Sequence, residues 1–182
     1  MSRLNPWLFA GAALVLACIA VVMSLSGRAQ GAPLSNAAPP QQPDTVLASL
    51  ERTACYGTCP VYKLTIHADG RVDYRGEHFV KHKGDATGRL TPAQLGALRN
   101  SFARADYVKL ADSYERASVT DAPSAITSFT DGAITKTVRH YLGDDEAPAQ
   151  LKKLEDQIDQ IAGIAQWIGT DQEREAHRGE WR

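Results

Sequence analysis

Cys55 and Cys59 bracket the tripeptide Tyr56-Gly57-Thr58, and Pro60 follows directly. Two thiols at this spacing can be bridged only if the backbone doubles back between them, and Gly57 is the residue whose wide φ/ψ range lets it do so. In an oxidising compartment such a pair closes, and sealing a five-residue loop stabilises the fold by roughly 2 kcal/mol on the chain-entropy model. A structural disulfide is therefore the first reading. A redox-active dithiol is the second, although its usual spacing has two intervening residues rather than three. Two sulfurs do not complete a tetrahedral metal shell. Haem attachment requires a histidine where Pro60 stands, and an iron–sulfur ligand set requires a cysteine where Tyr62 stands.

The compartment follows from the N-terminus. Trp7 through Leu25 carries no charge and is preceded by Arg3. As a helix of about 19 residues, rising ~1.5 Å each, it just crosses a ~30 Å hydrocarbon layer with its positive end in the cytoplasm. Residues 1–26 are thus expected to be an uncleaved anchor, with a cleaved signal peptide as the alternative. Either way the remainder is exported, anchored to the inner membrane and facing the periplasm, or free in the periplasm or outside. Residues 27–46, rich in proline and alanine, are too poor in large apolar groups to offset the entropy of ordering and read as a linker. Residues 47–169 suit one small domain, and residues 170–182 form a polar tail. The chain holds 20 basic and 21 acidic residues; removing residues 1–26 takes away only Arg3, leaving 19 against 21. A balance this close to neutral excludes a nucleic-acid footprint.

Within the domain, Val61 to His67 alternates Tyr62, Leu64 and Ile66 on one face with Lys63 and Thr65 on the other. Asp69-Gly70 marks a turn and Val72 and Tyr74 a return strand, so a hairpin is expected. A third strand is expected over residues 77–82. Thr91-Pro92-Ala93-Gln94 has the grammar of a helix start, with Leu95, Leu98 and Phe102 as its buried stripe. A second hairpin turns at Asp131-Gly132, and Pro148-Ala149-Gln150-Leu151 opens a second helix with Leu151, Leu154, Ile158 and Ile161 inward, ended near Gly163. The fold class is α+β: an antiparallel sheet built from two hairpins with two helices on one face, in the pattern of a ββα unit used twice, plus the N-terminal apolar helix.

The run Cys55-Tyr56-Gly57-Thr58-Cys59-Pro60-Val61-Tyr62-Lys63-Leu64, followed by Asp69-Gly70, Tyr74, Gly76 and Asp121-Ala122-Pro123-Ser124, resembles the bacterial domain of unknown function 6438 family. The resemblance spans about residues 50–141 and implies an envelope or secreted bacterial protein, with no catalytic residues to transfer.

Candidate site residues are few. Asp121 and Ser124, with Asp112 behind them, form a polar loop between ordered units, although a loop aspartate commonly serves only to hold its turn. His78 and His82 make a zinc pair only on a helix; on a strand they lie some 13 Å apart and read as exposed residues. His67 and His140 end strands near charged groups. No serine sits in a nucleophile elbow, and no phosphate loop occurs. The sequence therefore predicts no catalytic residue, cofactor or metal. It predicts a non-catalytic binding or structural module whose partner is another envelope protein or ligand, with membrane contact through the N-terminal helix. A thiol-disulfide protein using Cys55 and Cys59 is the alternative.

Overall fold

A computed structural model describes residues 45–116 and 119–176. The expected membrane segment and nearly all of the expected linker lie outside the described residues. No helix among the described residues is long and apolar enough to cross a membrane.

Among the described residues, seven strands form one sheet. In chain order they are β1 (Val46–Arg52), β2 (Val61–His67), β3 (Arg71–His78), β4 (Gly84–Arg89), β5 (Ser113–Tyr114), β6 (Ser124–Asp131) and β7 (Ile134–Tyr141). Their spatial order is β4-β3-β2-β1-β6-β7-β5, and every pairing is antiparallel except the short parallel contact of β5 with β7. The helices are α1 (Pro92–Arg104), α2 (Ala149–Ala162), α3 (Ala165–Ile168) and α4 (Asp171–Ala176). The chain is thus α+β, as its pattern implies.

Both expected hairpins form, turning with Gly70 at φ 89° and Gly132 at φ 60°, where only glycine is unstrained. They are not neighbours. The central strand between them is β1, whose sequence Val-Leu-Ala-Ser-Leu-Glu-Arg gives no strand signal, being rich in helix formers. Tertiary pairing on both sides overrides that preference: Leu50 stands opposite Leu64 of β2 and Thr127 of β6. A bulge between Val46 and Ala48 lets Leu47 and Ala48 both be buried.

The third strand is β4, not residues 77–82. The return strand β3 runs through Gly76 to His78, and Phe79 then takes a left-handed φ of 51°, which ends it. A Cβ on Gly76 would stand 2.1 Å from the His82 carbonyl oxygen, so glycine is required where the 79–83 turn folds back. The main-chain N–H groups of Lys81 and His82 donate to Ile168 and Trp167 at 3.1 and 2.8 Å, tying that turn to α3.

One face of the sheet carries the core. Ala48, Leu50, Tyr62, Leu64, Ile66, Val72, Tyr74, Ala125, Phe129 and Val138 point to Leu98 and Phe102 of α1 and to Leu151, Leu154 and Ile158 of α2. Phe102 stacks on Phe129 with ring centroids 4.1 Å apart, and Tyr107 meets Phe102 edge-on at 4.9 Å. The expected stripes are buried apart from their outermost members, Leu95 and Ile161, which are half-buried. Thr91 caps α1 by the reciprocal bonds its sequence implies: Gln94 N–H donates to Thr91 Oγ1 at 3.2 Å and Thr91 N–H to Gln94 Oε1 at 2.9 Å. Gly163 ends α2 in the left-handed conformation at φ 65°.

Candidate functional site

The chain leaves β1 at Arg52, makes the cysteine loop and re-enters at Val61. Cys55 and Cys59 are bonded to each other, with Cα atoms 5.7 Å apart. The ring is pinned on two sides. Thr53 N–H donates to the Ser124 carbonyl at 3.0 Å, Ser124 N–H to Thr53 Oγ1 at 2.8 Å, and Tyr56 N–H to the Asp121 carbonyl at 3.1 Å. Thr58 Oγ1 reaches Glu175 of α4 at 3.2 Å. Between these anchors Tyr56 is 91% exposed, the most solvent-exposed large apolar side chain among the described residues.

The two predicted loops therefore do meet, but through main-chain groups and the Thr53 hydroxyl rather than through the Asp121 and Ser124 side chains. Ser124 is buried as the first residue of β6, and the exposed Asp121 accepts from its neighbour Thr120 at 3.2 Å. The concavity of about 510 Å³ beside the disulfide is lined by Cys55, Thr58, Cys59 and the α4 residues Asp171, Arg174 and Glu175, and by neither Asp121 nor Ser124. Asp112 is paired with Lys136. No group of three or more His, Cys, Asp or Glu among the described residues is placed to hold a metal ion. His82 gives its Nε2 to the Asp85 carbonyl at 3.1 Å and lies tilted against Tyr74.

A polar cluster that sequence reasoning missed sits beneath the ring. Arg52 and Tyr62, the last rung of the β1–β2 ladder, both reach Asp159 of α2: the guanidinium Nη2 at 2.8 Å and the phenol at 2.6 Å. One turn earlier on α2, Glu155 is 0% exposed and accepts from His140 Nδ1 of β7 at 2.9 Å, with Arg52 Nη1 3.9 Å away. Burial holds the Asp159 carboxyl above its ordinary range against the pull of Arg52, and burial likewise drives the Tyr62 phenol far upward. For Arg52, burial works to lower the pKa, but Asp159 and Tyr62 together outweigh it and keep the guanidinium charged. The signal was present in the sequence: Glu155 lies four residues after Leu151, inside the apolar stripe of α2.

Each acid in this cluster is engaged by a donor, and the phenol donates rather than accepts. The cluster is therefore chemically a clamp, with no activated nucleophile and no base facing an open space. The hairpin cluster at the other end of β2 is saturated in the same way. His67 Nε2 meets Asp73 at 2.8 Å, Arg71 holds the same carboxylate at 2.6 Å, and a second Arg71 nitrogen lies 3.2 Å from His67 Nδ1. A further concavity of about 450 Å³ lies beyond the end of α1, with Phe102, Tyr107 and Phe129 as its floor and Arg99, Asp106 and Asp131 on its rim.

No curated protein matches this chain. The family model described as "Domain of unknown function (DUF6438)" matches residues 46–162, which begin with β1 and end with the last residue of α2 and so take in the whole sheet, the disulfide ring and the clamp. With nearly two-thirds of its length matched, the chain belongs to the DUF6438 family.

Proposed function

We propose that this domain is a non-catalytic binding module of the bacterial envelope, exported behind the apolar segment of residues 1–26, which presents the Cys55–Cys59 ring to another envelope protein. The observation that carries the reading is Tyr56: a large amphipathic side chain, 91% exposed, on a backbone locked by a disulfide and by bonds to Asp121 and Glu175. A tyrosine on a fixed backbone has only its two side-chain torsions to lose on contact, which is why such residues dominate interface energetics. The saturated state of the Arg52 and His67 clusters supports binding over catalysis.

The test replaces Tyr56 with a photo-reactive phenylalanine in cells. A discrete cross-linked product is expected from position 56, and none from the control position Ile134, which is 68% exposed at the tip of the other hairpin. Cross-linking at both sites alike, or at neither, sinks the reading.

The second reading, thiol-disulfide exchange, draws on the concavity that opens beside both sulfurs with Arg174 on its wall. A reduction potential below about −300 mV marks a structural bridge and excludes it. The two hairpin-and-helix units are further read as one ββα design used twice. Matching Asp-Gly turns support this; the helix starts differ, since Thr91 caps α1 by its side chain while Pro148 makes no such bond to α2.

A further inference from the structure

The two edges of the sheet are built differently. β5 is only two residues long, the usual way of blunting an edge. β4 pairs with β3 over six consecutive rungs with no register shift, contains no proline, and is the last strand in the order among the described residues. Its outer main-chain groups, those of residues 85, 87 and 89, form a regular edge of the kind that accepts another strand; among them the Asp85 carbonyl already meets His82 Nε2 at 3.1 Å and keeps a second lone pair for a strand N–H.

The side chains of β4 specify which strand. Asp85, Thr87 and Arg89 share the face away from the helices, while Ala86 and Gly88 face Trp167 and the core. On that outer face Asp85 already meets Arg75 at 3.3 Å on its inner side, and Arg89 stands directly opposite Arg71; Asp69 holds the Arg89 guanidinium from the hairpin turn, by its carbonyl at 2.9 Å and its carboxylate at 3.7 Å, and Asp73 holds Arg71. Like charges directly opposite one another destabilise a ladder, so the open side of Arg89 is a place for an anion.

We propose that β4 pairs antiparallel with β4 of a second copy of this chain, about a two-fold axis through Thr87. In that register Asp85 lies opposite the second copy's residue 89 and Arg89 opposite its residue 85, giving two cross-strand ion pairs. Thr87 faces its own counterpart, and Ala86 faces Gly88, so the inner face closes without a clash of large side chains. The same register extends the apolar cover. Trp167 is half-buried, stacked on Tyr74 at 4.9 Å and close over Gly88, and two such rings come to flank the seam. A six-residue seam falls at the small end of specific interfaces, so the pairing is weak in dilute solution and gains when copies are held on one surface.

The experiment uses the full chain with Cys18→Ser, in which Cys55 and Cys59 are already bonded, and adds one cysteine at a time. Residues directly opposite have Cβ atoms about 5 Å apart, whereas positions 85 of the two copies lie about 13 Å apart along the strands. Thr87→Cys is expected to give a covalent dimer with a short thiol-to-thiol linker, at least about 10-fold more than Asp85→Cys or Arg89→Cys alone. Mixing the last two chains should restore the dimer. Asp85→Arg should abolish the Thr87→Cys product, and adding Arg89→Asp should bring it back, with circular dichroism unchanged throughout. Failure of Thr87→Cys to cross-link, which is also the outcome if residues 27–44 of the same chain occupy this edge, overturns the proposal. Equal yields at all three positions, the signature of random collision, overturn it too.

Discussion

Replacing Arg52 by methionine tests whether the clamp holds the sheet to α2. The substitution keeps the apolar stem and removes the guanidinium, leaving Asp159 with only the Tyr62 phenol and the wholly buried Glu155 with only His140. Removing one partner of a buried ion pair costs about 3–5 kcal/mol, because an uncompensated charge stays behind. Asp159 is 20% exposed and water can reach part of it, which places the expected loss at the lower end, about 3 kcal/mol. At about 3–5 °C per kcal/mol for a chain of this size, the melting temperature falls by about 10–15 °C. The control is Asp156→Ala. Asp156 also approaches Arg52, at 3.6 Å, but is 60% exposed, and its removal should change stability by no more than about 0.5 kcal/mol.

Urea melts of the two variants, alone and combined with Asp159→Asn, provide the assay. The Arg52–Asp159 cycle should show a coupling of about 1–3 kcal/mol. The pH dependence has a definite sign. Asp159 has a folded pKa raised above its unfolded value, so its favourable contribution is present below the unfolded value and lost as pH rises through the folded one. Removing Arg52 raises that folded value further, so the cost of Arg52→Met should shrink as the solution is acidified. A loss below about 1 kcal/mol, or one that grows on acidification, would falsify the clamp.

Burial pushes the phenols of Tyr74 and Tyr107 up to about 12, and that of Tyr62 above that range. Raised values mean stability that is whole below pH ~10 and lost as pH climbs from there through ~12, so alkaline unfolding and the tyrosinate absorbance of Tyr74 and Tyr107 should appear together in that window, with Tyr62 ionising there only in the fraction that has unfolded. Cys55→Ser with Cys59→Ser should cost about 2 kcal/mol, read by thermal melting, with no change at β7 in hydrogen exchange. Gly76→Ala should be the most damaging single-methyl change in the sheet, losing about 3 kcal/mol or more, because its Cβ meets the His82 carbonyl rather than a side chain that can swing away. Glu173, held down to about 2 by Lys81 at 2.8 Å, should release α4 only as pH falls from ~4.5 through 2, seen as new exchange at Thr170 and Glu173.

Elements that carry their own local signal are legible in the sequence. The Tyr62, Leu64, Ile66 alternation, the two Asp-Gly turns, the Thr91–Gln94 cap and the Leu151, Leu154, Ile158 stripe each encode structure within a few neighbouring residues, and each is found where that encoding puts it. What stayed illegible is non-local. β1 is a strand because two other strands hold it, and Ala48 opposite Phe129 and Ile66 gives no hint of that within its own heptapeptide. Residues 77–82 looked like strand because Phe79 and Val80 favour one, yet the chain turns there, with Phe79 itself left-handed. The histidines suffered the same blindness: His140 reads as an unremarkable strand end until Glu155, fifteen residues away, is seen against it.

The disulfide was the most visible feature of the sequence, but the cysteine loop's position is set by residues on either side of it. Arg52 and Tyr62 are the rung on which the loop closes, and a single carboxylate, Asp159, receives both at 2.8 and 2.6 Å. A loop closed by sulfur alone is a ring free to tilt on its stem; one whose stem is bonded to a helix across the core is fixed in direction as well as in length. If Tyr56 is a contact residue, the clamp is what aims it. Asp159→Ala should then weaken the cross-link from position 56 by more than its loss of stability accounts for, while leaving the Cys55–Cys59 bond formed. An unchanged cross-link in a folded Asp159→Ala protein would separate the ring from the clamp and leave the sulfur bridge as its only support.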